Sequence, residues 1–151
     1  MRDWVSKWVQ EGDICVWRYP GNSRHAGEWH FTGDTIGCRS IRNLIGRMAG
    51  GEACHRTLKL RPVARAVSDA PGFGDAKGDH FTAMRIVFRP EASDLSIDVD
   101  GERLILTLGN GRIPALRAAF ADVEVGQADF GIATSHDRKA KGWWFWWMPR
   151  S

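Results

Sequence analysis

The densest run of chemically capable side chains lies between residues 17 and 30. Trp17, Tyr19, Asn22, Arg24, His25, Glu28 and His30 all fall within it, around a Pro20-Gly21-Asn22-Ser23 segment with turn chemistry. Arg24 and His25 suit anion capture through charge-assisted hydrogen bonds. Trp17 and Tyr19 can supply an apolar wall. From residue 28 the chain alternates, sending Trp29 and Phe31 to one face of a strand and Glu28, His30 and Thr32 to the other. The expectation is a single solvent-facing surface holding Arg24, His25, Glu28 and His30, with Arg18 joining it. The same residues also read as a polar hairpin whose strands merely send Trp to the core, and both readings stand here. A hydrolase or transferase using His25, Glu28 and His30 is a further reading, because His and Glu are common proton-transfer groups.

Other chemistry finds less support. His25, His30, Cys38, Cys54 and His55 are nominal zinc ligands, but their spacing fits no zinc pattern and Cys38 falls on an apolar helical face. There is no G-x-S-x-G elbow. Gly72 to Gly78 lacks the order of a phosphate-binding loop, and Gly109-Asn110-Gly111 lacks the third glycine of a dinucleotide fingerprint. Neither a metal nor a cofactor is therefore expected.

The elements that would position these residues follow from periodicity. Trp4, Val5, Trp8 and Val9 predict a short N-terminal amphipathic helix. Residues 14–19 and 28–32 read as strands. Gly33-Asp34-Thr35 opens a helix with Cys38, Ile41, Leu44, Ile45 and Met48 on one face and Arg39, Arg42, Asn43 and Arg47 on the other; Gly50-Gly51 ends it. Residues 57–63 and 81–89 read as strands around a long Gly-, Ala- and Asp-rich loop at 64–80. Residues 95–99 and 103–108 flank Asp100-Gly101, which predicts a type I′ hairpin turn. Pro114 starts a second helix carrying Leu116, Phe120 and Val123. Residues 128–134 give another strand. The chain then reaches Trp143-Trp144-Phe145-Trp146-Trp147, whose strand would carry bulky rings on both faces and so need cover on both.

These elements predict one α+β domain spanning residues 1–151. The expected architecture is a mainly antiparallel sheet of about eight strands with two main helices on one face, ordered as two pseudo-repeated ββαββ units.

Composition narrows the class. At 151 residues with 43% hydrophobic and 26% charged side chains, the chain can bury a core without staples. Three cysteines without a CxxC pair do not make a secreted disulfide framework, and no apolar leader or membrane-length run is visible, so a cytoplasmic protein without a membrane partner is expected. Of its 21 basic residues five are Lys and the rest Arg, yet the net charge is only +3, small for a nucleic-acid binder. The absence of a catalytic motif, together with abundant Arg and Trp, favours a non-catalytic interaction protein that docks a protein partner, like bacterial immunity, inhibitor or accessory proteins. The alternative is a small-ligand module holding an anionic or nucleotide-like molecule near residues 17–30.

Overall fold

The expected helix start at Asp34 is built by two close approaches. The Asp34 carboxylate accepts from the backbone N–H of Gly37 and, at 3.1 Å, from that of Asp13. A Cβ on Gly37 would strike the Asp13 carbonyl, and one on Gly12 would strike the Gly37 backbone. Gly12 also holds φ at +70°, where a side chain is strained. The computed structural model describes residues 2–18, 29–61, 81–126, 130–132, 134 and 142–146.

The elements run in the order α1 (Arg2–Ser6), β1 (Ile14–Arg18), β2 (Trp29–Gly33), α2 (Thr35–Met48), β3 (Cys54–Lys59), β4 (Ala83–Phe88), β5 (Ser96–Asp100) and β6 (Arg103–Leu108). A 3-10 turn at Asn110–Arg112 then leads into α3 (Ile113–Glu124), followed by β7 (Phe130–Ile132) and β8 (Trp143–Phe145). None of the described helices is long and apolar enough to cross a membrane.

The fold is α+β with eight strands, but they form two sheets where one was expected. Their orders are β1-β2-β8-β7 and β3-β4-β6-β5, each with four strands. Hairpins supply the outer pairs, which are antiparallel; the central pairs, β2 with β8 and β4 with β6, are parallel. The difference arises because α2 carries the chain from the first sheet to the second and α3 carries it back. Each sheet therefore takes one hairpin from each half of the chain. Exchanging β1–β4 for β5–β8, element by element, converts the strand order of one sheet into that of the other. Single backbone hydrogen bonds tie the sheet edges together, from Arg61 N to Ile14 O and from Leu95 N to Thr134 O, both 2.9 Å.

The two long helices pack on each other and on the first sheet. Glu124, at the end of α3, takes a 2.6 Å ion pair from Arg42 and a looser one, at 3.6 Å, from Arg39. The Arg117 guanidinium lies over Gly46, where an added Cβ would sit 3.2 Å from its Cζ. One apolar cluster joins Val5 to Phe145, taking in alternate residues of β4 and β6 and the inward stripes of both helices. Burying each Leu- or Phe-sized side chain contributes roughly 1.5–3 kcal/mol, which makes this cluster the main source of stability.

The β5–β6 hairpin forms where expected, with a different turn. Asp100 pairs with Arg103 across the strands, leaving Gly101 and Glu102 as the loop. Gly101 has φ of +63° and no described non-glycine residue has positive φ. A single positive φ at the first loop position is the type II′ pattern, not type I′.

Candidate functional site

The strand registers place Trp17, His30 and Trp144 side by side on the face of the first sheet away from Phe31 and Phe145. Trp146, just past β8, is held by its N–H on the Phe31 carbonyl at 2.9 Å, so its ring returns to the same face. The rings stack in sequence. Trp17 and His30 have centroids 5.6 Å apart and planes 19° off parallel; His30 and Trp146 are at 6.0 Å and 21°; Trp146 and Trp144 at 6.2 Å and 24°. Trp144 in turn lies over Gly131, where a Cβ would come within 3.3 Å of the indole. Glycine here makes room for the ring.

This array fixes the state of His30. Trp146 Nε1 donates to His30 Nδ1 at 2.8 Å. An indole nitrogen can only donate, so Nδ1 must be unprotonated and the neutral ring carries its hydrogen on Nε2. Trp17 Nε1 is a second donor on the array, buried with no protein acceptor. The array therefore combines stacked flat rings, of which Trp144 and Trp146 are half-buried, with one paired and one unpaired indole N–H.

The structure thus brings together two of the residues singled out in the sequence, Trp17 and His30. Tyr19, Asn22, Arg24, His25 and Glu28 lie outside the described residues. The expectation of a solvent-facing His30 is overturned: it is 0% exposed and Trp17 is 1% exposed. The alternation was read correctly, but both faces of β2 are covered, so facing away from Phe31 does not mean facing water. Arg18 does not join His30. Its guanidinium lies over the rings of Trp29, at 5.2 Å, and Phe81, at 6.0 Å, on the opposite face. Trp144 and Trp146 carried a signal, since alternation put them on one face. The contact with His30, 116 residues away, had none.

A second surface gathers around α1. Trp4 is 55% exposed although it carries an arginine on its face, the Arg47 guanidinium lying 4.1 Å from the ring centroid. Arg47 also donates to the Trp4 carbonyl at 2.9 Å and to Asn43 Oδ1 at 2.7 Å. Arg56 donates to the carbonyls of Val5 and Ser6 at 2.8 and 2.7 Å and stacks on Trp8. Two arginines therefore satisfy the last carbonyls of a helix too short to hold itself.

Two open crevices flank β3. One, of about 470 Å³, lies between Gln10, Asp13, Lys59 and Arg61, and an Asp13–Arg61 ion pair of 2.8 Å crosses it. The other, of about 410 Å³, adjoins Cys54, His55, Arg89 and Glu91. Cys54 and His55 are consecutive on β3 and point to opposite faces, so they do not form a nucleophile–base pair. Among the described residues no three His, Cys, Asp or Glu side chains gather as a metal ligand set. Burial, with Asp13 and Asp34 nearby, pushes the Cys15 thiol from 9.0 up to about 11 against an opposing pull from Arg61. That is the reverse of an activated nucleophile.

Comparison with protein families, curated proteins and solved structures finds no match to this chain.

Proposed function

We propose that this is a non-catalytic interaction protein that docks an acidic protein partner on the surface formed by α1 and the adjoining face of α2. The observation that supports it is Trp4, a large ring left more than half exposed and held in place by Arg47. Trp and Arg are the types that dominate interface hot spots, and a pre-stacked pair loses little freedom on binding. Exposed Lys7, just past α1, and exposed Arg39 on α2 add positive charge. The test is capture from the native host with wild type and with the Trp4→Ala/Lys7→Glu variant. Both positions are exposed, so the variant should fold and melt like the parent. A partner retained by wild type and lost by the folded variant supports the reading. Equal capture refutes it.

A second reading has its own support in the aromatic array. Trp17 Nε1 is a buried donor without an acceptor, and an anionic or nucleotide-like molecule that opened this face could bring one while stacking on half-buried Trp144 and Trp146. Titration with nucleotides and simple carboxylates, followed by indole fluorescence in wild type and Trp146→Phe, separates the readings. Saturable binding altered by the variant would favour the ligand module.

A further inference from the structure

The second sheet turns Met84, Ile86 and Phe88 to the core and the alternate residues outward. On its outward face charge is graded across the strands. Lys59 and Arg85 lie on the β3–β4 side, while Asp98 and Asp100 lie on the β5 edge. Ile105 on β6 sits in register with both Arg85 and Asp98, one strand from each, or roughly 4.8 Å to either side. Asp98 and Asp100 are exposed; Arg85 and Ile105 are half-buried. Arg103 takes the Asp100 carboxylate at 2.7 Å, but the Nε atoms of Arg85 and Arg103 are buried with no hydrogen-bond partner. Each of the two guanidiniums thus keeps a buried Nε–H without an acceptor, although Arg103 is paired through its terminal nitrogen.

We infer that this face docks a second copy of the same chain about a two-fold axis running along β6 over Ile105. Such an axis exchanges the β4 and β5 sides. Ile105 packs on its own counterpart, Arg85 of each copy meets Asp98 of the other, and the pairing occurs twice, as an isologous contact requires. A polyanion fits less well, because the Asp98–Asp100 edge repels it; an acidic protein meets the same obstacle. A surface carrying both signs in mirrored order satisfies Arg85 and Asp98, and the face itself is such a surface; Arg103, on the axis strand, meets its own counterpart and is offset there by Asp100. Its size sets the strength. Four strands of this length cover a patch of roughly 20 by 18 Å, below the ~800 Å² per partner of a standard interface. The dimer is therefore weak, with a dissociation constant of roughly tens to hundreds of micromolar.

The experiment is sedimentation equilibrium of the full chain from roughly 10 µM to 1 mM at low salt, where charge pairs are least screened. Wild type should move from monomer to dimer mass across this range. Arg85→Glu and Asp98→Lys, each studied alone, should dimerise at least about 10-fold more weakly, since each places like charges opposite one another. Mixed in equal amounts, the two variants should recover dimer mass, because every altered charge then faces an opposite one. Melting curves establish that each variant is folded. Should Arg85→Glu not fold, Asp98→Lys decides the matter, its position being exposed. A wild type that stays monomeric to 1 mM overturns the proposal, as does undiminished self-association of folded Asp98→Lys. A mixture no more associated than its separate components overturns the two-fold arrangement.

Discussion

The Trp146–His30 hydrogen bond gives the sharpest quantitative test of the aromatic array. Trp146→Phe keeps an aromatic ring over His30 but removes the N–H that donates to Nδ1 at 2.8 Å. His30 is fully buried, so water cannot replace that donor without opening the site. Leaving a buried acceptor without its donor costs about 1–3 kcal/mol. For a domain of this length that lowers the melting temperature by roughly 2–12 °C. His30→Phe should cost less than this at the Trp146 side, because Trp146 is only half-buried whereas His30 is fully buried. The decisive quantity is the double variant. Replacing both partners by apolar rings removes the orphaned acceptor, so the combined loss should fall short of the sum of the single losses by about 1 kcal/mol or more. Urea denaturation of the four proteins measures this coupling, with unchanged slopes establishing that the unfolded states are comparable. Nitrogen NMR of the imidazole should report hydrogen on Nε2 in the parent. Strict additivity, or a parent ring protonated on Nδ1, would refute the reasoning.

Three further outcomes can be checked. Phe145→Ala removes a fully buried ring stacked on Phe31 at 4.9 Å and edge-on to Phe120 at 5.1 Å; it should cost about 3–5 kcal/mol by denaturant titration, and a loss under about 1 kcal/mol would mean that β8 is not central. Gly101→Val forces a β-branched residue to φ near +63°, so its melting temperature should fall well beyond that of an ordinary surface change, whereas an unmoved value would place the turn elsewhere. Cys15, with its thiol pushed to about 11, should alkylate far more slowly at pH 8 than in denaturant. Because the unfolded thiol ionises near 9.0 and the folded one near 11, its contribution to stability is present below pH 9 and is lost as the pH rises toward 11. Equal alkylation rates for folded and unfolded protein would contradict the burial of that edge.

Local chemistry was legible in the sequence, and long-range pairing was not. Asp34 read as a helix start because a carboxylate before Thr35 can cap, and it does. Gly50 read as a stop and holds φ at +73°. The five-aromatic run announced a strand inside a sheet, and its Trp143–Phe145 part is one, lying between β2 and β7 with Trp143 and Phe145 buried and Trp144 half-buried. By contrast β3 begins at Cys54, earlier than expected, because Cys54-His55-Arg56 offers no apolar alternation and owes its pairing to β4. The exposure of His30 depended on what covers β2, and an isolated strand carries no record of its cover. Division into two sheets was equally hidden, since hairpins declare themselves through a turn while β2 and β8 share no local signal. The fit of Gly37 against Asp13 is likewise a property of two segments together.

The parallel pairing of β2 with β8 also orders events during synthesis. Trp29, His30 and Phe31 leave the ribosome paired on one side by β1, while β8, the strand that covers their other edge, follows only at Trp143–Phe145. Until then the chain carries an open strand edge flanked by aromatic rings, a template for pairing with other molecules. Contacts spanning 116 residues cannot form until residue 146 has been made, and such high contact order slows the closing of this sheet. An aggregation-prone interval is therefore the wait for β8, which rare codons between residues 31 and 143 would lengthen and a truncation before residue 143 would make permanent.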